Sequence, residues 1–89
     1  LSGCVTLKDR ELYHHVLDLY ETEEIEVEPS AAAGCAIPDR ILSNKPGRRY
    51  LQEHSLDTHM PRAVHVVWTT GGLFIPAEQH ERFRAMARK

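Results

Sequence analysis

A hydroxyl-bearing residue, Thr70, stands directly before a glycine pair, Gly71 and Gly72. The preceding run, residues 63–69, is rich in β-branched and aromatic side chains and predicts a buried strand. Two glycines after a strand allow a sharp reversal and a close approach of a ligand to the backbone. Ligands of open α/β sheets bind beyond the carboxyl ends of the strands, where Thr70 would lie. The segment is therefore a candidate ligand site, although an ordinary strand-to-helix connection has the same pattern.

A second stretch of unusual composition comes earlier in the chain. Glu28-Pro29-Ser30 is followed by small residues over 31–36. Proline keeps the preceding Glu28 extended and is well placed at the first position of a helix. Because no bulky side chain would hold it away, a helix over 31–36 could approach another backbone or a ligand closely. Tight packing of a helix on a sheet explains the run equally well.

The composition limits the classes of function. The chain has 89 residues and a formal net charge of −2, so charge gives no reason to expect nucleic acid or an anionic membrane as a partner. No apolar stretch approaches the roughly 18 residues that a bilayer-spanning helix needs. The chain has no recognisable signal peptide and starts at Leu1 rather than Met, as a fragment would. A cytoplasmic location is expected.

The cysteines and histidines show no metal-binding pattern. Cys4 and Cys35 belong to no CxxC motif and are predicted to be buried or half-buried free thiols. The histidines form neither an HxxxH pair nor a Cys/His zinc spacing. They are interpreted as solvated or packing residues, and they are His14, His15, His54, His59, His65 and His80. No metal site is predicted.

Helical periodicity predicts one helix near each end of the chain. The first, over about residues 9–21, repeats apolar side chains at helical spacing, with Thr6 or Asp9 as its cap. The last opens at 76–78 and ends in basic residues, which complement the negative end of the helix dipole.

The elements between these helices predict an α/β fold. Short strands are predicted at 25–27 and 63–69, while 38–61 is predicted to be mostly surface loop, with a turn at 44–47 and at most one short helix. Helices thus alternate with strands. Two strands make a poor sheet, and the later one would be buried on both faces only beside further strands. The chain is therefore predicted to be the terminal segment of a larger α/β enzyme.

In three stretches the chain resembles the carboxyl-terminal part of the bacterial D-serine dehydratases, also called D-serine ammonia-lyases. The stretches are residues 1–9 with 12–13, residues 25–34, and residues 65–72 with 76–78, and the match is weakest between about 40 and 62. The family consists of pyridoxal-phosphate enzymes of fold type II, the tryptophan-synthase-β-like group. A Glu-Pro-Ser helix start followed later by a hydroxyl-Gly-Gly turn is typical of the wider group. The Val-Trp-x-Thr-Gly-Gly motif of residues 67–72 is more specific to the D-serine enzymes.

This resemblance implies an α/β fold in which residues 1–89 form the carboxyl-terminal segment of a three-layer sheet domain in a two-domain enzyme. The implied reaction is β-elimination of D-serine to pyruvate and ammonia with pyridoxal 5'-phosphate. The resemblance also implies a Schiff-base lysine upstream of Leu1, and Lys8, Lys45 and Lys89 lie in no matching motif. A separate glycine-rich phosphate cradle is also expected upstream, so the segment alone should be inactive.

The same resemblance implies roles for four residues. Thr70 would face the pyridine nitrogen of the cofactor, Gly71 and Gly72 would turn around the ring edge, and Glu28 would lie within reach of the cofactor pocket. A threonine hydroxyl can only exchange a hydrogen bond, so it would leave the ring a milder electron sink than a carboxylate would. Leu73 departs from the family, whose members tend to have a third glycine there, and this leaves the backbone path after Gly72 open.

Two other classes of function share these features. A related L-serine or L-threonine dehydratase or racemase would have the same hydroxyl-Gly-Gly turn. A stand-alone interaction or regulatory module would suit the small size and the acidic run over 21–28. For the enzyme, the expected partners are an amino-acid substrate and the remainder of the same chain, with no nucleic acid and no membrane. The sequence contains no heptad repeat of apolar residues, so it does not indicate an oligomeric state.

Overall fold

The computed structural model of the protein describes residues 3–89 and is mainly helical. The α-helices in this range are α1 (Asp9–Glu23), α2 (Ile37–Ser43), α3 (Lys45–Glu53) and α4 (Ala77–Arg88). Short 3-10 helices lie between them, at Pro29–Ala36, Asp57–Arg62 and Gly72–Phe74. Leu1 and Ser2, where the first stretch of the family resemblance begins, lie outside the described residues.

The first predicted helix is confirmed as α1, but its cap differs from the prediction. Lys8 is the N-cap residue, and its backbone N–H donates to the Glu11 carboxylate at 2.8 Å. The guanidinium of Arg40 also pairs with this carboxylate. The Lys8 N–H first, and then Arg40, hold the pKa of Glu11 below its ordinary value. The capping group is therefore a carboxylate inside the helix, not Thr6 or Asp9.

A small core forms where α1 meets α4 and the first 3-10 helix. The residues buried at its centre are Val16, Val27 and Ala32, and the partly buried residues packed around them are Leu19, Ala31 and Phe83. The final predicted helix is thereby confirmed, since α4 starts directly after Pro76 and contributes Phe83 to this core.

The small-residue stretch forms a 3-10 helix with Pro29 in its first turn. Ala32 is fully buried, and a Cβ added at Gly34 would lie 3.1 Å from Cγ1 of Val67. The small residues therefore allow close packing, with Ala32 in the core and Gly34 against Val67. The sheet on which the helix was expected to pack is not formed among residues 3–89.

The prediction for residues 38–61 is wrong, because α2 and α3 occupy much of that range. The predicted turn at 44–47 is the junction between them, where the Asn44 side chain accepts from the Gly47 N–H at 2.7 Å as the N-cap of α3. Pro38 and Pro46 lie in the first turns of α2 and α3. Proline is tolerated there because the first amides of a helix have no partner within it.

The two predicted strands are not formed among residues 3–89, so the α/β layering expected from the sequence does not appear within this part of the chain. The N–H of Glu28 donates to the carbonyl of Thr70 at 3.3 Å, and no ladder extends from that bond in the described range. Val66 and Trp68 are 87% and 82% exposed, which contradicts the expected burial. A strand requires neighbours for its backbone groups and its apolar faces, and the described residues provide too few.

Both cysteines are free thiols, as predicted. Cys4 is exposed, however, which contradicts the expected burial, whereas Cys35 is half-buried. Burial, followed by the nearby charge of Asp18, raises the pKa of the Cys35 thiol. Across residues 3–89, no helix combines the length and apolar character needed to cross a bilayer. No group of three or more metal-ligating side chains occurs in the same range.

Candidate functional site

The chain reverses sharply at the glycine pair that follows Thr70. Gly71 has φ 77° and ψ −10°, in the left-handed region that favours glycine. Residues Gly72–Phe74 form a short 3-10 turn, in which the Phe74 N–H donates to the Gly71 carbonyl at 3.2 Å. Leu73, the residue that departs from the family pattern, lies in this turn with its side chain fully exposed. The backbone after Gly72 therefore accommodates leucine at position 73, because the side chain extends into solvent.

The segment that carries Glu28 lies directly against this turn. A Cβ added at Gly71 would lie 2.5 Å from the carboxyl carbon of Glu28, and a Cβ at Gly72 would lie 1.9 Å from the carbonyl oxygen of Glu26. The Glu28 N–H also donates to the Thr70 carbonyl. The bare backbone of the two glycines is what allows this approach. The structure therefore brings together the four residues predicted for the site.

The two side chains with polar groups differ in exposure. Thr70 is exposed, and within residues 3–89 its hydroxyl has no hydrogen-bond partner, so it is free to exchange a hydrogen bond with a ligand. Glu28 is half-buried, with its carboxylate against Gly71. An uncommitted hydroxyl and a carboxylate thus flank a stretch of backbone without side chains.

A buried histidine behind the turn was not identified as a site residue from the sequence. His80 is 2% exposed, and its Nε2 lies 2.8 Å from the carbonyl oxygen of Gly72 and 3.1 Å from a carboxylate oxygen of Glu26. The signal that could have found it is helical periodicity. His80, Phe83 and Ala87 follow the spacing of one face of α4, and that face is buried or half-buried.

None of the three lysines joins this site. Lys8 caps α1, Lys45 begins α3 and Lys89 ends the chain after α4, and all three are exposed. None of the described elements around the turn therefore contributes a primary amine, and Gly71 and Gly72 alone are too short to cradle a phosphate group.

The residues of the turn fit one edge of pyridoxal phosphate rather than the whole cofactor. The free Thr70 hydroxyl suits the ring nitrogen, which needs a hydrogen-bond partner. The side-chain-free backbone of Gly71 and Gly72 leaves room for a flat ring edge. The aldehyde and phosphate groups need a lysine and a set of N–H donors, and the turn and its neighbours contribute neither.

Comparison with curated proteins finds relatives that match nearly the whole chain. A "Probable D-serine dehydratase" of Paracidovorax citrulli is 42% identical over 88 residues, which are 99% of this chain and 20% of that protein. Proteins of the same name from Hahella chejuensis and Burkholderia pseudomallei are 45% and 44% identical over 87 residues, or 98% of this chain. These matches cover 20% and 19% of the two relatives.

The chain spans about a fifth of the length of these relatives and matches their carboxyl-terminal part. No model of a protein family and no solved structure matches it. The three stretches that carried the resemblance thus lie within one alignment that covers the chain almost from end to end.

Proposed function

Because the chain matches the carboxyl-terminal part of the D-serine dehydratases, we propose that it is that part of a D-serine ammonia-lyase. The longer enzyme converts D-serine to pyruvate and ammonia by loss of the α-proton and the β-hydroxide, followed by hydrolysis. Bound pyridoxal 5'-phosphate supplies the electron sink for loss of the α-proton. The observation that carries this proposal is the identity of 42–45% over 98–99% of the chain.

In this proposal the glycine turn, formed by Gly71 and the 3-10 helix Gly72–Phe74, holds the nitrogen edge of the cofactor ring. The Thr70 hydroxyl exchanges a hydrogen bond with the ring nitrogen and, being neutral, does not hold a proton there as a carboxylate would. Gly71 and Gly72 present bare backbone to the ring edge. The exposure of Thr70 and the absence of a competing partner for its hydroxyl among residues 3–89 support this role.

We further propose that residues 25–27 and 63–69 become strands of a three-layer sheet domain in the longer, two-domain protein. Val64, Val66 and Trp68 are each more than 80% exposed and lie close together in sequence. Such an apolar strip with unpaired backbone groups suits coverage by neighbouring strands. Residues 1–89 are then one carboxyl-terminal segment, inactive alone, whose main partner is the remainder of the same chain.

A cytoplasmic location is part of the same proposal, and two free thiols in a helical segment suit a reducing compartment. The substrate is a free amino acid. The remaining groups of the active site, the Schiff-base lysine and the glycine-rich phosphate cradle, lie upstream of Leu1.

The proposed function is tested by supplying the purified full-length gene product with pyridoxal phosphate and offering D-serine, L-serine and L-threonine separately. We expect a visible absorbance band of the bound cofactor and release of pyruvate from D-serine in clear preference to the L-amino acids. Preference for an L-amino acid would instead favour a related dehydratase. Interconversion of the serine enantiomers without pyruvate would favour a racemase, and no cofactor absorbance would favour an interaction module.

Glu28 is the second polar group of the proposed site, and Glu28→Gln keeps its shape while removing its charge. We expect a loss of about fivefold in cofactor affinity or turnover of the full-length enzyme, as for a charge-assisted hydrogen bond reduced to a neutral one. Cofactor titration and kcat measure the effect. Glu23→Gln, at an exposed position of α1, is the control and should change neither. If Glu28→Gln also changes neither, the role of Glu28 is structural.

A further inference from the structure

His80 occupies a buried position directly behind the proposed site, and the proposed function gives it no role. It lies in the first turns of α4 and is 2% exposed. Its Nε2 faces two acceptors, the Gly72 carbonyl at 2.8 Å and the Glu26 carboxylate at 3.1 Å. Both acceptors lie in the backbone segments that form the site.

The chemistry of these contacts fixes where the imidazole carries its hydrogen. The Gly72 carbonyl oxygen can only accept, so Nε2 must carry the hydrogen that it donates to this oxygen, and the Glu26 carboxylate lies within ion-pair distance of the same nitrogen. The Nδ1 atom is buried and has no partner among residues 3–89. Within that range, Nε2 therefore makes all the polar contacts of the ring, one with the glycine turn and one with Glu26.

The turn needs such a contact because it contains two glycines. Glycine loses more backbone freedom on ordering than any other residue. The Glu28–Thr70 hydrogen bond, at 3.3 Å, is a long one for the pairing of the two segments. A buried donor that contacts both segments restricts the turn and the 26–28 segment at the same time.

We propose that His80 is a positioning residue that holds the glycine turn, and with it the Thr70 hydroxyl, through its Nε2–H. The part of this inference that concerns the cofactor rests on the proposed function, whereas the part that concerns the turn does not. The His80 side chain acts by donating a hydrogen bond, and an apolar side chain of similar volume cannot replace that donor.

Two substitutions separate donation from space filling. In His80→Gln the side-chain amide N–H₂ can reach the position of Nε2 and donate to the Gly72 carbonyl. In His80→Met the volume is filled by an apolar side chain without a donor. If His80 positions the turn, the glutamine variant should be closer to wild type. If His80 only fills space, the order should reverse, because glutamine adds a buried amide whereas methionine does not.

The first readout is hydrogen exchange of the Glu28 amide in the cofactor-free full-length protein, because this amide donates to the Thr70 carbonyl. The second is the dissociation constant for pyridoxal phosphate. We expect His80→Met to speed exchange and weaken cofactor binding by about tenfold each, the effect of one lost buried hydrogen bond. His80→Gln should stay within about threefold of wild type. His14→Met, at an exposed position of α1, is the control and should change neither value.

The proposal is overturned if His80→Met leaves the exchange of the Glu28 amide unchanged, or if methionine lies closer to wild type than glutamine. A wild-type protein that binds no pyridoxal phosphate would contradict the proposed function instead. In that case the exchange rates of the two variants still decide whether His80 holds the turn.

Discussion

Gly72→Ala is expected to cost the full-length protein about 3 kcal/mol of unfolding free energy, the upper end of the usual range for overpacking. The added Cβ, which is fixed in position by the backbone that carries it, would lie 1.9 Å from the backbone carbonyl oxygen of Glu26. No side chain can rotate away, so the turn must separate from the 26–28 segment. That movement would break the Glu28–Thr70 hydrogen bond and the contacts of His80.

Urea unfolding of the full-length gene product measures this cost, and cofactor titration should show binding weakened in parallel. Gly3→Ala is the matched control, because a Cβ at Gly3 meets nothing within 4 Å and should leave both values unchanged. Wild-type stability and cofactor binding in Gly72→Ala would mean that the 26–28 segment does not lie against the turn in the full-length protein.

Thr70→Val is expected to lower cofactor affinity, turnover or both by about 5- to 150-fold. Valine keeps the shape of threonine but leaves the ring nitrogen without its hydrogen-bond partner, at a cost of about 1–3 kcal/mol. Thr70→Ser keeps the hydroxyl and should have a mild effect. Titration with pyridoxal phosphate and kcat/KM for D-serine measure the two consequences separately. Equal losses in the serine and valine variants would show that the hydroxyl is not the group that matters.

Local patterns were sufficient to predict the two helices that build the core. The apolar spacing before Glu21 predicts α1, and Pro76 marks the start of α4. The same local approach failed between Pro38 and Pro61, where prolines and polar residues favoured a loop. In the structure Pro38 and Pro46 occupy the first turns of α2 and α3, a position in which the missing N–H costs nothing.

The predicted strands failed for a non-local reason. The composition of residues 63–69 favours a strand, but a strand forms only when other strands pair with it, and none is present among residues 3–89. The four residues proposed for the site could be selected from the sequence because Thr70, Gly71 and Gly72 are adjacent and the family pattern includes Glu28. His80 was missed because the histidines were compared with metal-binding spacings rather than with the buried face of α4.

The central claim, that Thr70 faces the cofactor, is tested most directly by titrating Thr70→Val and Thr69→Val side by side with pyridoxal phosphate in the full-length protein. Both threonines are exposed, so neither change should disturb the core. In an extended segment their side chains point in opposite directions, and Val67, two residues before Thr69, packs on the Gly34 side. We predict that Thr70→Val weakens cofactor binding by about 5- to 150-fold while Thr69→Val leaves it unchanged. A damaging Thr69→Val together with a silent Thr70→Val would contradict the account and shift the site by one residue.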